Sequence, residues 1–328
     1  MVSISELRDR PIFICGHPKA GTSLLRAILD SHPQLIVYPE ETIFFRRFLP
    51  QAQGLDCQEQ VQLAEKLLIH IFKWSRANPD PSQVGFPERD YSQISFDAVR
   101  ATMQRIVESR WQHAGDTLSA AVLAYGQVSG QITRDTQFWI EKSPYNEYFA
   151  EQIYSWWPAA RCIHILRDPR DNYVSYQRKH VSWSAEFFAA NWSRSTCAGM
   201  HNQQQFGAPR YLLLRYEDLV QSPDIYLHQI VDFLGIDWDA SLTDLTRAGE
   251  QWQGNSMFGD QFQSISAAAI GRWRENLIPD DAAVIELMAR PLMQAWQYDP
   301  GTAHHLKARW RASSWPLRRR LARFSSPE

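Results

Sequence analysis

Pro11-Ile12-Phe13-Ile14-Cys15-Gly16-His17-Pro18-Lys19-Ala20-Gly21-Thr22-Ser23 decides how the rest of the chain is read. The first part is a short apolar run closed by glycine, the pattern of a strand buried in a parallel sheet. A glycine-containing turn follows, and Ser23 to Leu29 reads as a helix with Leu24, Leu25, Ile28 and Leu29 on one face. Gly16 and Gly21 hold the spacing of G-x-x-x-x-G-K-[ST], the phosphate loop of nucleotide triphosphatases. The first glycine permits a tight turn, and the second lets backbone N–H groups approach an anion. Thr22 and Ser23 open the helix, where free N–H groups and the helix dipole favour phosphate. The lysine is displaced: Thr22 stands where that loop has its lysine, and Lys19 lies inside the turn. A Mg²⁺-triphosphate site also needs a hydroxyl metal ligand and an acidic partner. Neither is evident, so the turn suits an anion held by lysine and backbone alone.

Outward from this turn, short apolar runs alternate with helical patterns. Gln34 to Val37, Gln137 to Glu141, Arg161 to Arg167 and Tyr211 to Arg215 read as strands. Tyr145 to Trp157, Asp171 to His180, Ala185 to His201, Ile225 to Leu234 and Ala282 to Trp296 read as helices. The expected class is α/β, with a parallel central sheet and helices on both faces. Asp56 to Asn78, Phe96 to His113 and Thr117 to Tyr125 are helical by pattern and interrupt the alternation. They are expected as an insertion, over residues 56–125, across the sheet's carboxyl edge, where open α/β sheets bind ligands.

A second anion site is expected at Arg167-Asp168-Pro169-Arg170-Asp171-Asn172-Tyr173-Val174-Ser175. Arg167 ends a strand and Ser175 lies on the next helix, so a tight turn brings a planar guanidinium fork and a neutral hydroxyl onto one anion. The alternative is a strand end with Arg167 paired to Asp168 or Asp171.

These two segments resemble the sulfotransferases that use 3′-phosphoadenosine 5′-phosphosulfate (PAPS). Pro18-Lys19-Ala20-Gly21-Thr22-Ser23 is similar to that family's 5′-phosphosulfate loop, and Arg167 with Ser175 to its 3′-phosphate motif. Glu141-Lys142-Ser143-Pro144, Arg215-Tyr216-Glu217-Asp218-Leu219 and Ile270-Gly271-Arg272-Trp273-Arg274 also look like family segments. The resemblance runs from about Pro11 to Leu277. It implies one domain over residues 1–303 on a P-loop-like fold, with a basic tail over 304–328. It implies PAPS as co-substrate, 3′,5′-adenosine diphosphate as product, and no metal. Gly271, Arg272 and Trp273 become contacts near the 3′-phosphate, although Trp273 equally suits a core anchor.

Sulfuryl transfer builds negative charge on the departing phosphate oxygen, which positive groups stabilise. Lys19 is the first candidate and Lys142 the second. The acceptor, a hydroxyl or amine, must lose a proton to a base. Tyr38-Pro39-Glu40-Glu41-Thr42 resembles the Glu-Glu-Thr segment of protein-tyrosine sulfotransferases, in which the second Glu is the base. Glu41 is therefore the expected base and Glu40 the fallback, with His17 and His32 nearby. Those enzymes carry an arginine two residues after the base, where this chain has Ile43. The rival readings are a P-loop kinase and a nucleotide-binding module without turnover.

Net charge is −2 over 328 residues, so no global field points to nucleic acid. The opening residues hold no apolar h-region, and the four cysteines form no C-x-x-C pair. A reducing cytoplasm is expected, with Cys15 and Cys162 as buried small hydrophobes. The tail carries Lys307, Arg309, Arg311, Arg318, Arg319, Arg320 and Arg323, with Trp310, Trp315, Leu317, Leu321 and Phe324 interleaved. It reads either as a basic segment that can lie on anionic lipid or as a solvated end. Neither the acceptor's identity nor the oligomeric state is legible.

Overall fold

The computed structural model describes residues 3–83, 86, 89–179, 182–299, 301 and 306–325. Five parallel strands form the centre: β1 (Pro11–Cys15), β2 (Leu35–Val37), β3 (Phe138–Lys142), β4 (Arg161–Leu166) and β5 (Tyr211–Arg215). Their order across the sheet is β2-β3-β1-β4-β5. The longer helices are α1 (Thr22–Leu29), α2 (Cys57–Leu67), α3 (Phe96–Ser109), α4 (Gly115–Val128), α5 (Ala150–Trp156), α6 (Pro169–Gln177), α7 (Ala185–Phe206), α8 (Tyr216–Gln221), α9 (Pro223–Leu234), α10 (Pro279–Ala295) and α11 (Leu306–Ser325).

Strand side chains alternate between faces, and here both faces are buried. Ile12, Ile14, Ile140, Ile163 and Ile165 pack with Leu25, Ile28 and Leu29 of α1 and with α9. Phe13, Cys15, Ile36, Trp139 and Tyr211 point the other way, into a larger core with α2 to α5. That is why the strands read as continuous apolar runs. Truncating Phe13 or Trp139 to Ala would cost about 3–5 kcal/mol, as for large aromatics in tight cores. A third cluster, built from α6, α7 and α10, includes Trp192 and Met293.

The helical stretch between β2 and β3 covers a face of the sheet. Gly126 of α4 lies so close to β2 that a Cβ there would sit 2.7 Å from Ile36. What reaches the carboxyl ends of the strands is the segment after α2, where Tyr91 and Arg89 donate to Glu40 just past β2. The pattern over Asp56 to Asn78 is one helix only as far as Leu67, followed by a 3₁₀ turn at His70–Lys73. Phe72 and Trp74 keep the apolar spacing because both are buried in the same core. The strands Phe138–Lys142 and Tyr211–Arg215 lie where they were expected to within one residue.

Candidate active site

Sheet order assembles the site. β1 lies between β3 and β4, so the turn leaving β1 has Lys142 on one side and Arg167 on the other. β2 lies outside β3, which brings the segment after Val37, and with it Glu41, beside Lys142.

The turn itself is tightly enclosed. Gly16 has φ +136° and Gly21 has φ +114°. A Cβ on Gly16 would lie 2.5 Å from the Ile165 carbonyl oxygen, and one on Gly21 would lie 2.7 Å from the Tyr216 ring. Neighbouring elements grip the backbone. Gly16 N–H donates to Glu147 Oε2 at 3.0 Å. Asn172 donates to the Pro18 carbonyl at 2.8 Å, and Arg167 donates to the Lys19 carbonyl at 3.2 Å. Ala20 is buried, and its N–H closes the turn onto His17 O at 3.1 Å. Gly21 caps α1 without a side-chain partner, so the first amides of that helix stay available to an anion. Lys19 takes φ +66°, and its ammonium donates to the Asn255 carbonyl at 3.2 Å. Burial, then the cations Lys179, Lys142 and Arg167, lower its pKa to about 8.

A cleft of about 740 Å³, open to solvent, runs from this turn to Arg167. Lys19, Gly21, Thr22, Ser23, Arg167, Ser175 and Arg272 all line it. Arg167 NH1 donates to Ser175 Oγ at 3.4 Å, and NH2 donates to the Ala269 carbonyl at 2.7 Å. Its Nε is buried and has no hydrogen-bond partner among the described residues. The pairing of Arg167 with Asp168 or Asp171 is absent from these contacts. Asp168 instead binds Arg170, and Asp171 accepts from the Gly271 and Trp273 amides at 2.7 and 2.9 Å. Gly271 thus reaches the site through Asp171. Trp273 does not line the cleft; it stacks under Arg170, 4.0 Å away, against the third core cluster. Arg272 pairs with Asp260 at 2.5 Å.

Beyond Ser23 the site continues into a second group. Lys142 Nζ donates to Ser23 Oγ at 3.3 Å and to Glu41 Oε1 at 2.6 Å. Burial lowers the Lys142 pKa more than Glu41 raises it. Burial pushes the Glu41 carboxyl up, but Lys142 and Lys179 pull harder, and the net shift is downward. Glu41 keeps 39% side-chain exposure, whereas Lys142 keeps 4%.

The buried carboxylate of Glu141 fixes this arrangement. It accepts from Thr42 Oγ1 at 2.7 Å, Ser143 Oγ at 2.6 Å and Asn146 at 2.7 Å. Ile43, at φ +49°, donates its N–H to Ser143 Oγ at 2.9 Å.

The alternatives to Glu41 are occupied. Glu40 is buried and accepts from Tyr91 OH at 2.6 Å and from Arg89. His17 is buried among Tyr145, Tyr176 and Phe188, and desolvation lowers its pKa to about 4. Its Nδ1 lies 3.0 Å from the Pro18 carbonyl, an acceptor only, so that nitrogen carries the proton. His32 is spent on the Asp237 carbonyl at 3.0 Å.

Several contributors escaped the sequence. Tyr216 underlies Gly21 and carries Arg167 over its ring at 4.6 Å. Trp252, Phe258, Phe262 and Ser264 line the cleft from an irregular segment after a two-stranded ribbon at 246–251. Gly254 and Gly259, both with positive φ, were the available signal of a folded loop there.

The fold is a parallel α/β sheet covered by helices, with a glycine-bounded turn leaving its central strand into an open cleft. A family model described as the sulfotransferase family matches residues 11–240. The chain is 21% identical over 314 residues to protein-tyrosine sulfotransferase 2 of Gallus gallus, covering 88% of this chain and 69% of that protein. It is 23% identical over 265 residues to the omega-hydroxy-beta-dihydromenaquinone-9 sulfotransferase of Mycobacterium bovis, covering 72% and 65%. The fold matches the sulfotransferase domain of the Synechococcus olefin synthase with a TM-score of 0.56 at 22% identity, over 88% of this chain and 95% of that one. This chain belongs to the PAPS-dependent sulfotransferase family.

Proposed function

We propose that the cleft takes PAPS and that the chain passes its sulfuryl group, in line, to a hydroxyl or amine of a small-molecule, glycan or lipid acceptor. One observation carries this reading: two separate anion-binding groups line a single cleft, the Lys19 turn and the Arg167–Ser175 pair. The turn supports this reading by its close packing: glycines at positive φ seat its backbone against Ile165 and Tyr216, and the first amides of α1 are left uncapped.

In this reading the turn from Pro18 to Ser23 holds the 5′-phosphosulfate, and Arg167, Ser175, Gly271 and Arg272 attend the 3′-phosphate. Lys19 and Lys142 place positive charge where the phosphate oxygen departs, and such preorganised charge stabilises the transition state without reorganisation. Glu41, ionised at neutral pH because its pKa is lowered, accepts the proton of the acceptor. Its hydrogen bond to Lys142 holds base and leaving-group cation side by side. Trp273 acts on the site from outside the cleft, through its backbone bond to Asp171 and its ring against Arg170.

These relatives are named for protein tyrosine and for an omega-hydroxy-menaquinone, both of which offer a hydroxyl, so the shared chemistry is attack by a hydroxyl. The deciding experiment incubates the protein with sulfur-labelled PAPS and pooled phenols, glycans, lipids and peptides. Label in an acceptor supports the reading. Tight nucleotide binding without transfer to any pool would leave a nucleotide-binding module instead.

A further inference from the structure

One short stretch after β3 touches both halves of the site. Tyr145 donates its N–H to the Gly16 carbonyl at 3.2 Å, and Glu147 Oε2 accepts the Gly16 N–H at 3.0 Å. Both polar groups of the Gly16 backbone, where the turn leaves β1, are therefore held from residues 145 and 147. Between these two, Asn146 donates to Glu141 Oε2 at 2.7 Å. Glu141 is the carboxylate that also binds Thr42, next to Glu41, and Ser143, next to Lys142. Helix α7 anchors the stretch: Ser195 donates to Glu147 Oε1, and Asn202 donates to the Glu147 carbonyl at 2.8 Å.

The backbone is strained at both joints. Tyr145 takes φ +72° where the stretch meets the turn. Ile43 takes φ +49° where its N–H reaches Ser143. A left-handed conformation at a bulky or β-branched residue costs free energy and persists where surrounding contacts over-determine it. Asn146 and Glu147 are buried, and neither lines the cleft, so each acts through another group.

We propose, resting on the reading of the cleft as a PAPS site, that Asn146 and Glu147 are positioning residues that together set the separation of donor and base. Glu147 fixes the turn through Gly16, and Asn146 fixes the Glu41–Lys142 pair through Glu141. Glu147 serves as a hydrogen-bond acceptor, and burial, which raises its pKa, disfavours its charge. A glutamine can stand in for it, with Oε1 accepting from Gly16 and Nε2 donating to Ser195 Oγ.

The test measures 3′,5′-adenosine diphosphate binding by calorimetry and release of labelled sulfate from PAPS to water, for wild type, Asn146→Ala, Glu147→Ala and Glu147→Gln. Asn146→Ala should keep nucleotide affinity while kcat falls by roughly 10- to 100-fold, the effect of a displacement near 1 Å on a reacting geometry. Glu147→Ala should weaken nucleotide binding by roughly 3- to 10-fold, the worth of one hydrogen bond, and Glu147→Gln should restore it. If Glu147→Ala does not fold, the Asn146→Ala split and wild-type behaviour of Glu147→Gln decide. Wild-type kcat in Asn146→Ala, equal loss of affinity and kcat in that variant, or failure of Glu147→Gln to bind nucleotide like wild type would overturn this inference alone. Wild-type protein that binds no 3′,5′-adenosine diphosphate would overturn the PAPS reading and this inference with it.

Discussion

Arg167→Ala offers the sharpest examination of the nucleotide site. A guanidinium has five N–H donors. In this protein NH1 serves the Lys19 carbonyl and the Ser175 hydroxyl, NH2 serves the Ala269 carbonyl, and Nε is buried. One N–H of NH2 is left for a ligand. A charge-assisted hydrogen bond contributes about 1.5–3 kcal/mol, which is roughly 10- to 150-fold in affinity. Wild-type protein should therefore bind 3′,5′-adenosine diphosphate more tightly than 5′-AMP by about that factor. The substitution also releases the Lys19 and Ala269 carbonyls and so loosens the turn, but that damage falls on both nucleotides alike. The quantity to measure is the ratio of the two dissociation constants by calorimetry, which should collapse toward one in Arg167→Ala. A wild-type ratio of one, or a ratio untouched by the substitution, would refute the assignment of Arg167 to the 3′-phosphate.

Glu41→Gln should keep nucleotide affinity while kcat falls by roughly 10²–10⁴ on an alkyl hydroxyl, and by less on a strongly acidic phenol that hardly needs a base; near wild-type turnover of the alkyl acceptor would exclude Glu41. Lys19 must be an ammonium to act on a phosphate oxygen, and its pKa is lowered to about 8. With that sign, kcat/KM for PAPS should fall as pH rises through about 8, while kcat holds to higher pH because bound phosphates favour the charged lysine; a flat profile across that range would contradict this role. Gly21→Ala should weaken nucleotide binding and lower stability by about 1–3 kcal/mol, since φ is +114° and Tyr216 occupies the Cβ position; a melting temperature equal to wild type would count against the tight turn. Sulfate transfer should persist in a chelator, because lysines and loop amides supply the charge; an absolute Mg²⁺ requirement would point to a different electrostatic device.

The strands, the turn and the Arg167–Ser175 pair were legible because each is local. A strand buried on both faces is an unbroken apolar run, and eight residues across a strand–helix turn bring two side chains together whatever the rest of the chain does. The contacts that orient the chemistry are not local. Glu141 meets Thr42 across 99 positions, and Glu147 meets Gly16 across 131. Nothing in the neighbouring sequence announces such a carboxylate, because its partners are chosen by strand order. The cleft's aromatic wall was missed for a different reason: residues 252–269 form little regular structure, so no period betrays them. Trp273 shows the opposite limit. Its place in the motif is visible, but only the Arg170 contact reveals that its ring supports the site from outside the cleft.

The Glu141 carboxylate has a bearing on how specificity can vary. It ties Thr42, next to Glu41, to Ser143, next to Lys142, so Glu41 and Lys142 move as one piece. Downstream of that knot, Phe44, Phe45 and Phe48 pack with buried side chains of α2 to α4 on one face of the sheet. Substitutions there can reshape what approaches Glu41 without changing its separation from Lys142. Drift in acceptor preference should then be recorded mainly in KM, with kcat conserved among variants that still admit their acceptor. The Glu41–Lys142 pair is buffered against the evolution of the surface that leads to it.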